Sequence, residues 1–176
     1  MDELKTLAEL IKKRNDIGIR ISKIINYPSL PGHMGEFIAS KIFDLELHET
    51  AQHQGSDGIF KSGPLAGKNV NIKWYAKMET SLDINPTYPA EYYLVLAGPK
   101  SSHISSRGTS RPQKINSVFL FESESLISQL KKRTVKIGIA TSVTQKQWSD
   151  AEIFPNQRNN QLPVTEKQKE LLRLFQ

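Results

Sequence analysis

Apolar side chains recur at helical spacing in three parts of the chain. The first part covers residues 2–26, the second covers residues 33–44, and the third begins at Thr165 near the C-terminus. Apolar residues three or four positions apart share one face of a helix, so these stretches predict three amphipathic helices. A break that contains two prolines ends the first helix before the second begins.

Apolar residues in the middle of the chain follow patterns typical of strands. Val70, Ile72 and Trp74 alternate with polar residues, which predicts a strand over residues 68–75. Residues 91–97 are almost continuously apolar, as in a strand that is buried on both faces at the centre of a mixed sheet. Further strands are predicted at residues 45–47, 57–60, 117–121 and 135–140.

The order of the predicted elements indicates the fold class. Helices come first, and a run of strands with one further helix, which ends at residue 132 or 133, follows them. This order predicts an α/β domain with a central mixed sheet flanked by helices. The domain is expected over residues 1–155, and a linker with a C-terminal helix over residues 156–176. The shorter predicted features are a turn at 62–67, loops at 76–90 and 100–114, a helical turn at 144–151 and a polar linker at 155–163.

Composition narrows the class of protein. The chain has 176 residues, of which 38% are hydrophobic, so one ordinary domain with a core is expected. It contains no cysteine, which excludes a thiol nucleophile and a cysteine-ligated zinc site. No apolar run reaches the roughly 20 residues of a membrane span, and the acidic N-terminus does not resemble a signal peptide. These features predict a cytoplasmic protein without a membrane partner.

Three polar residues stand out from the predicted elements. Glu36 lies in the first turn of the second helix, Asp57 precedes a short strand, and Lys73 lies inside the strand over residues 68–75. Two acids can hold a divalent metal, and a lysine beside the metal can orient water and stabilise charge on a phosphate. Each residue alone fits a solvated surface, but lysine is disfavoured between Ile72 and Trp74 in a strand. The set therefore predicts a site for phosphodiester chemistry.

The order of these residues resembles the PD-(D/E)XK nuclease superfamily, whose fold is restriction-endonuclease-like. The matching segments are Gly35-Glu36 on a helix, Asp57 before a strand and Asn71-x-Lys73 in the next strand. Roughly residues 30–155 also resemble a narrower family of bacterial proteins that has no established activity. The broader resemblance implies a metal-dependent nuclease acting on DNA in restriction, defence or repair, with Mg²⁺ or Mn²⁺ as cofactor.

The resemblance also implies roles for individual residues. Asp57 would be the central metal ligand, Glu36 would help to place the metal or water, and Lys73 would be the catalytic lysine. Asn71 stands where the superfamily usually has an acid; its amide oxygen can ligate Mg²⁺ but brings no negative charge. Three other acids could substitute for the missing one: Glu46, Glu49 and Glu91.

Positive charge points to nucleic acid as the partner. The formal net charge is +6, and the serine-rich loop at 100–114 carries Arg107, Arg111 and Lys114, which could contact phosphates. A flexible surface loop explains the same residues equally well. Nucleases that cut both strands are often dimers, so a homodimer is an option, although the sequence contains no legible dimerisation element.

Three alternative interpretations remain open at this point. The first is a catalytically inactive nucleic-acid-binding module on the same fold. The second is a protein-interaction domain that docks through the C-terminal helix at residues 171–175. The third is a metal shared by histidines, to which their spacing gives little support. The four histidines are His33, His48, His53 and His103.

Overall fold

A six-stranded mixed sheet forms the centre of the computed structural model, which describes residues 2–49, 55–100 and 111–176. The strand order is β1-β2-β3-β5-β6-β8, and only β3 and β5 run parallel. The strands are β1 Leu45–Leu47, β2 Gly58–Phe60, β3 Asn69–Tyr75, β5 Tyr92–Ala97, β6 Ser117–Glu122 and β8 Glu152–Phe154. A separate pair, β4 Ser81–Leu82 and β7 Thr141–Ser142, forms a small second sheet.

Helices flank the sheet, so the α/β class with a mixed central sheet is confirmed. The five helices within the described residues are α1 Asp2–Ile25, α2 Pro31–Phe43, α3 Ser123–Lys132, α4 Gln145–Ala151 and α5 Glu166–Arg173. Each lies within a few residues of its predicted position. The strands predicted on either side of the turn at 62–67 are present and form a hairpin, since β2 pairs antiparallel with β3 across a 3₁₀ turn at Gly63–Leu65.

Each face of the sheet packs on its own apolar cluster. One cluster takes Val70 and Ile72 of β3 and packs under α2, and the other takes Tyr75 of β3 and packs under α3 and α4. Strand β5 is buried along its whole length and contributes to both clusters, as its apolar run predicts. The alternation along β3 therefore places Asn71, Lys73 and Tyr75 on the face opposite α2.

The C-terminal segment packs onto the same cluster as α2. Leu172 is completely buried, and Leu171 and Phe175 pack beside it. The side chain of Gln168 donates a hydrogen bond to the Ile42 carbonyl of α2, and the amide of Ile115 donates one to the Phe175 carbonyl. The apolar stripe of α5 thus faces the core, with Leu172 buried and Leu171 and Phe175 partly buried.

The prediction of a strand at residues 135–140 is wrong. The segment is an irregular turn flanked by two non-glycine residues with positive φ, Thr134 at 53° and Ala140 at 55°, which an extended strand does not allow. Val135 and Ile137 pack against the apolar cluster under α3 and α4, while Ile139 is 92% exposed. Alternating apolar residues thus mark one covered side of a loop here.

Three short strands lie in segments that the sequence did not identify as strands, and one of them is β7, which directly follows residue 140. Strand β4 falls within the loop predicted at 76–90, and β8 immediately precedes the linker at 155–163. Each has only two or three residues, too few for a periodic pattern to be recognised.

None of the helices in the described part of the chain combines the length and the hydrophobicity that crossing a bilayer requires.

Candidate functional site

The site lies where the edge of β3 becomes free. Strand β2 pairs with β3 only at Asn69 and Val70, and within residues 2–49, 55–100 and 111–176 no other strand pairs with the rest of that edge. The backbone amide of Ile72 lies beyond this pairing, so no carbonyl of β2 accepts its hydrogen bond. The side chain of Asp57 accepts its hydrogen bond instead, at 2.6 Å from the Ile72 nitrogen to Oδ2. The carboxylate is therefore held at the fork between the two strands.

Backbone packing fixes the position of Asp57. Its amide donates to the Val70 carbonyl at 2.9 Å, which continues the hairpin by one residue. Gly58 follows, and a Cβ at this position would lie 2.5 Å from the carbonyl oxygen of Glu46 in β1. Only glycine lets β1 and β2 approach this closely. The Asp-Gly pair thus combines a functional side chain with the residue that the sheet requires.

Helix α2 brings the second carboxylate to the same edge. Gly35 lies against β3, where a Cβ would be only 3.0 Å from the Cβ of Trp74. This close contact holds the first turns of α2 beside the free part of β3. Glu36 is the next residue, and its carboxyl group lies near enough to Asp57 and Lys73 for both charges to act on it.

Burial and like charge make the two acids harder to ionise. Partial burial raises the pKa of Glu36, the Asp57 carboxylate raises it further, and His33 and Lys73 lower it. Burial also raises the pKa of Asp57, whereas the hydrogen bond from Ile72 and the charges of Lys73 and His48 lower it. A divalent cation between the carboxylates would relieve both costs.

One buried oxygen at this site has no hydrogen-bond partner within the part of the chain that the structure describes: Asn71 is 8% exposed and its Oδ1 is unpaired. Tyr93, its neighbour in the parallel β3–β5 register, is almost fully buried. Burial is the main cause of the raised pKa of Tyr93, and hydrogen bonding with Asn85, Ser123 and Ala90 lowers it, so the phenol lies among these residues. Unpaired buried oxygens are rare and often mark functional positions.

The structure thus places the four predicted ligand and catalytic residues near one another. Glu36, Asp57 and Lys73 act on one another electrostatically, and Asn71 lies between Val70 and Ile72, both of which bond to Asp57. Sequence periodicity could not show that the Asn71 oxygen is buried, because burial depends on the elements that pack around β3.

Two histidines flank the acids. His33 donates a hydrogen bond from Nδ1 to the Pro28 carbonyl at 3.0 Å, and its charge acts on Glu36. His48 contacts the Ser56 hydroxyl through Nε2 at 3.2 Å, and its charge acts on Asp57. Each imidazole therefore accompanies one acid of the site. His53 and His103 lie outside the described residues.

The substitute acids have other positions. Glu91 bonds to Lys68 at 2.7 Å and to the amide of Asn69 at 2.9 Å, and these two contacts lower its pKa. It therefore anchors the start of β3. Glu46 and Glu49 are exposed, Glu46 on edge strand β1 and Glu49 in the bend after it.

Of the three predicted phosphate-contacting residues, the structure describes two. Arg111 is exposed, and Lys114 is half-buried beside Trp74, whose indole nitrogen donates to the Lys114 carbonyl at 3.0 Å. Lys114 is therefore attached to the residue that follows Lys73. Arg107 lies outside the described residues.

The donor set suits a hard divalent cation, with one carboxylate fewer than usual. Among residues 2–49, 55–100 and 111–176, no three acidic or histidine side chains form a group that could hold a metal. Two carboxylates and the unpaired amide oxygen of Asn71 remain. Mg²⁺ accepts such oxygens and keeps several waters, so the residues fit it, at a lower affinity than three acids would give.

A cleft of about 690 Å³ lies elsewhere, at the start of β5 and of α3. Lys68, Glu91 and Glu124 contribute to its lining, and Glu36, Asp57, Asn71 and Lys73 do not. The predicted site at the edge of β3 is therefore separate from this cleft.

The chain matches no protein-family model and no curated protein sequence. The resemblance to PD-(D/E)XK nucleases therefore depends on the motif residues and their placement.

Proposed function

We propose that the protein is a metal-dependent nuclease with a restriction-endonuclease-like fold that hydrolyses phosphodiester bonds in DNA. The observation that carries this proposal is the convergence of Glu36, Asp57 and Lys73 at the free edge of β3, beside the unpaired oxygen of Asn71. A helix acid, a strand-end acid and a strand lysine are the parts that phosphodiester hydrolysis needs.

Each residue has a role that follows from its surroundings. Asp57, Asn71 and Glu36 would hold Mg²⁺ or Mn²⁺, which when bound makes water more acidic and offsets phosphate charge. Lys73 donates a hydrogen bond to a phosphoryl oxygen and stabilises the negative charge that develops there. Glu36, whose pKa is raised by burial, accepts a proton from the attacking water.

Cleavage of supercoiled plasmid in Mg²⁺ or Mn²⁺ tests the proposal. Lys73→Met and Asp57→Asn should each reduce the rate of nicking by about 10²-fold or more, the usual size of such losses. Lys68→Met and Glu46→Gln are matched controls, because both residues are exposed and lie outside the site. Nicking that persists in both site variants would refute the assignment.

The described residues contain no group of three acidic or histidine side chains that could hold a metal. This favours one alternative, a nucleic-acid-binding module that no longer cleaves. This alternative predicts DNA binding that weakens steeply with salt and does not depend on Mg²⁺. If the wild-type protein binds duplex DNA in EDTA but does not nick DNA in Mg²⁺ or Mn²⁺, the alternative is correct.

A further inference from the structure

Helix α1 projects from the domain, and its apolar side is exposed to solvent. Every residue from 2 to 17 is exposed, and residues 18, 21, 22 and 25 alone turn toward the rest of the chain. The helix has 24 residues, a length of about 36 Å at 1.5 Å per residue. Six large apolar side chains on its bare side are between 40% and 72% exposed: Leu4, Leu7, Leu10, Ile11, Ile17 and Ile24.

These side chains follow a strict seven-residue repeat. Positions 4, 11, 18 and 25 form one column, positions 7, 14 and 21 a second, and positions 10, 17 and 24 a third. All ten positions are apolar except Arg14 and Gly18. A repeat of 3.5 residues per turn keeps an apolar seam facing one partner helix along its length. The chain itself covers the C-terminal part of the seam at Gly18, Ile21 and Ile25, and a Cβ at Gly18 would lie 2.9 Å from the Ser29 hydroxyl.

Charge along α1 identifies the partner helix. Residues 2–9 contain three acids and one lysine, whereas residues 12–23 contain five basic residues and one acid. A second copy in antiparallel orientation places each acidic end beside a basic half. A parallel copy would instead place Arg14 against Arg14 inside the seam, with Lys12 and Lys13 nearby, and like charges repel there.

Steric matching agrees with the antiparallel arrangement. When the two antiparallel helices are centred on residue 9 of each, the first column of one helix packs against the second column of the other at every layer. Leu7 then packs against Ile11 of the second copy, and Leu4 packs against Arg14. In this arrangement Arg14 lies near the acidic first turn of the second copy, where the Asp2 and Glu3 carboxylates can pair with its charge.

We infer that two copies of the chain dimerise through an antiparallel coiled coil of their α1 helices. The seam formed by Leu4, Leu7, Leu10 and Ile11 is buried in that dimer. This inference is independent of the nuclease proposal, because it uses no residue of the site.

Sedimentation equilibrium of the full chain tests the dimer. The wild type should have twice the 19.9 kDa chain mass, and the double variant Leu7→Glu, Ile11→Glu should have the mass of one chain. Ile19→Glu is the matched control: Ile19 is as exposed as Leu10, at 56%, but lies outside all three columns, so this variant should stay dimeric. Thermal unfolding of the core should be the same in all, since residues 2–17 are exposed.

Two results would overturn the dimer: a wild type that is monomeric at all concentrations, or a double variant that remains dimeric. A monomer that binds anionic vesicles would show that α1 covers a lipid surface instead. Because the chain has no cysteine, introduced thiols report the orientation. Leu4→Cys should form a disulfide with Arg14→Cys in a mixture of the two variants and none with itself; self-linking of Leu4→Cys would overturn the antiparallel arrangement.

Discussion

Asp57 is the residue on which the candidate site depends. Its carboxylate completes the hydrogen bonding of β3 and also lies near Glu36 and Lys73. The order of acids and lysine in the sequence was sufficient to predict that Glu36, Asp57 and Lys73 lie near one another. It could not predict the unpaired oxygen of Asn71, because this follows from burial.

Replacing the amide at position 71 tests whether the site is a weakened metal site. Asn71→Asp should raise the affinity for Mg²⁺ roughly tenfold, since affinity follows the number of charged ligands. Isothermal titration calorimetry measures the change. Asn71→Leu, which removes the oxygen at similar size, should weaken binding. Equal affinity in all three proteins would exclude Asn71 as a ligand.

The raised carboxyl pKa values predict how stability depends on pH in metal-free protein. Between the ordinary and raised values the folded state binds more protons than the unfolded state, so stability falls as the pH rises through the raised pKa. Glu36→Gln removes this cost and should raise Tm near neutral pH, with a smaller gain below the ordinary carboxyl range. Differential scanning calorimetry measures it, with exposed Glu46→Gln as the unchanged control.

At the scale of elements, the sequence was informative wherever a pattern was long. Seven residues of β3 and six of β5 gave clear strands with correct faces, and both helices α4 and α5 begin at a capping box, Thr144-Gln147 and Thr165-Gln168. Short elements such as β8 were missed, and residues 135–140 misled because a loop with one covered side also alternates.

Helix α5 offers a test of its place in the core. Leu172→Ala should lower the free energy of unfolding by about 2–5 kcal/mol, because it opens a cavity at a completely buried position. Leu174→Ala changes the same residue type at an exposed position two residues later and should have little effect. Urea denaturation compares the two variants. Equal effects would mean that α5 is not anchored in solution.

The contact between α2 and β3 offers a second test. Gly35→Val adds bulk where a Cβ is already 3.0 Å from the Cβ of Trp74, and overpacking of this kind costs about 1–3 kcal/mol. Because Glu36 follows directly, the variant should also lose metal affinity in calorimetry. Gly67→Val meets no atom within 4 Å but has a positive φ, so it should lower stability without affecting the metal.

At the scale of the whole molecule, the net charge of +6 favours a polyanionic partner. The carbonyl of Lys114 accepts a hydrogen bond from Trp74, the residue after Lys73, and Arg111 precedes Lys114 in an exposed position. These two basic residues are the described part of the predicted phosphate-contacting set.

Salt dependence measures the contribution of these residues. Arg111→Ala should weaken binding to labelled duplex DNA and reduce the slope of log K against log salt concentration by about 1, the value for one phosphate contact. Fluorescence anisotropy gives the slope. Lys146→Ala, an exposed residue paired with Asp150 on α4, is the control and should leave the slope unchanged.

The hydrogen bond from Ile72 to Asp57 has a consequence for spectroscopy. An amide proton that points at a carboxylate resonates far downfield, and its frequency follows the charge of that carboxylate. The Ile72 amide is therefore a built-in reporter in a ¹⁵N-resolved NMR spectrum. Titrating acid, Mg²⁺ or an oligonucleotide while following this single peak would read the state of Asp57 directly, with no label at the site itself.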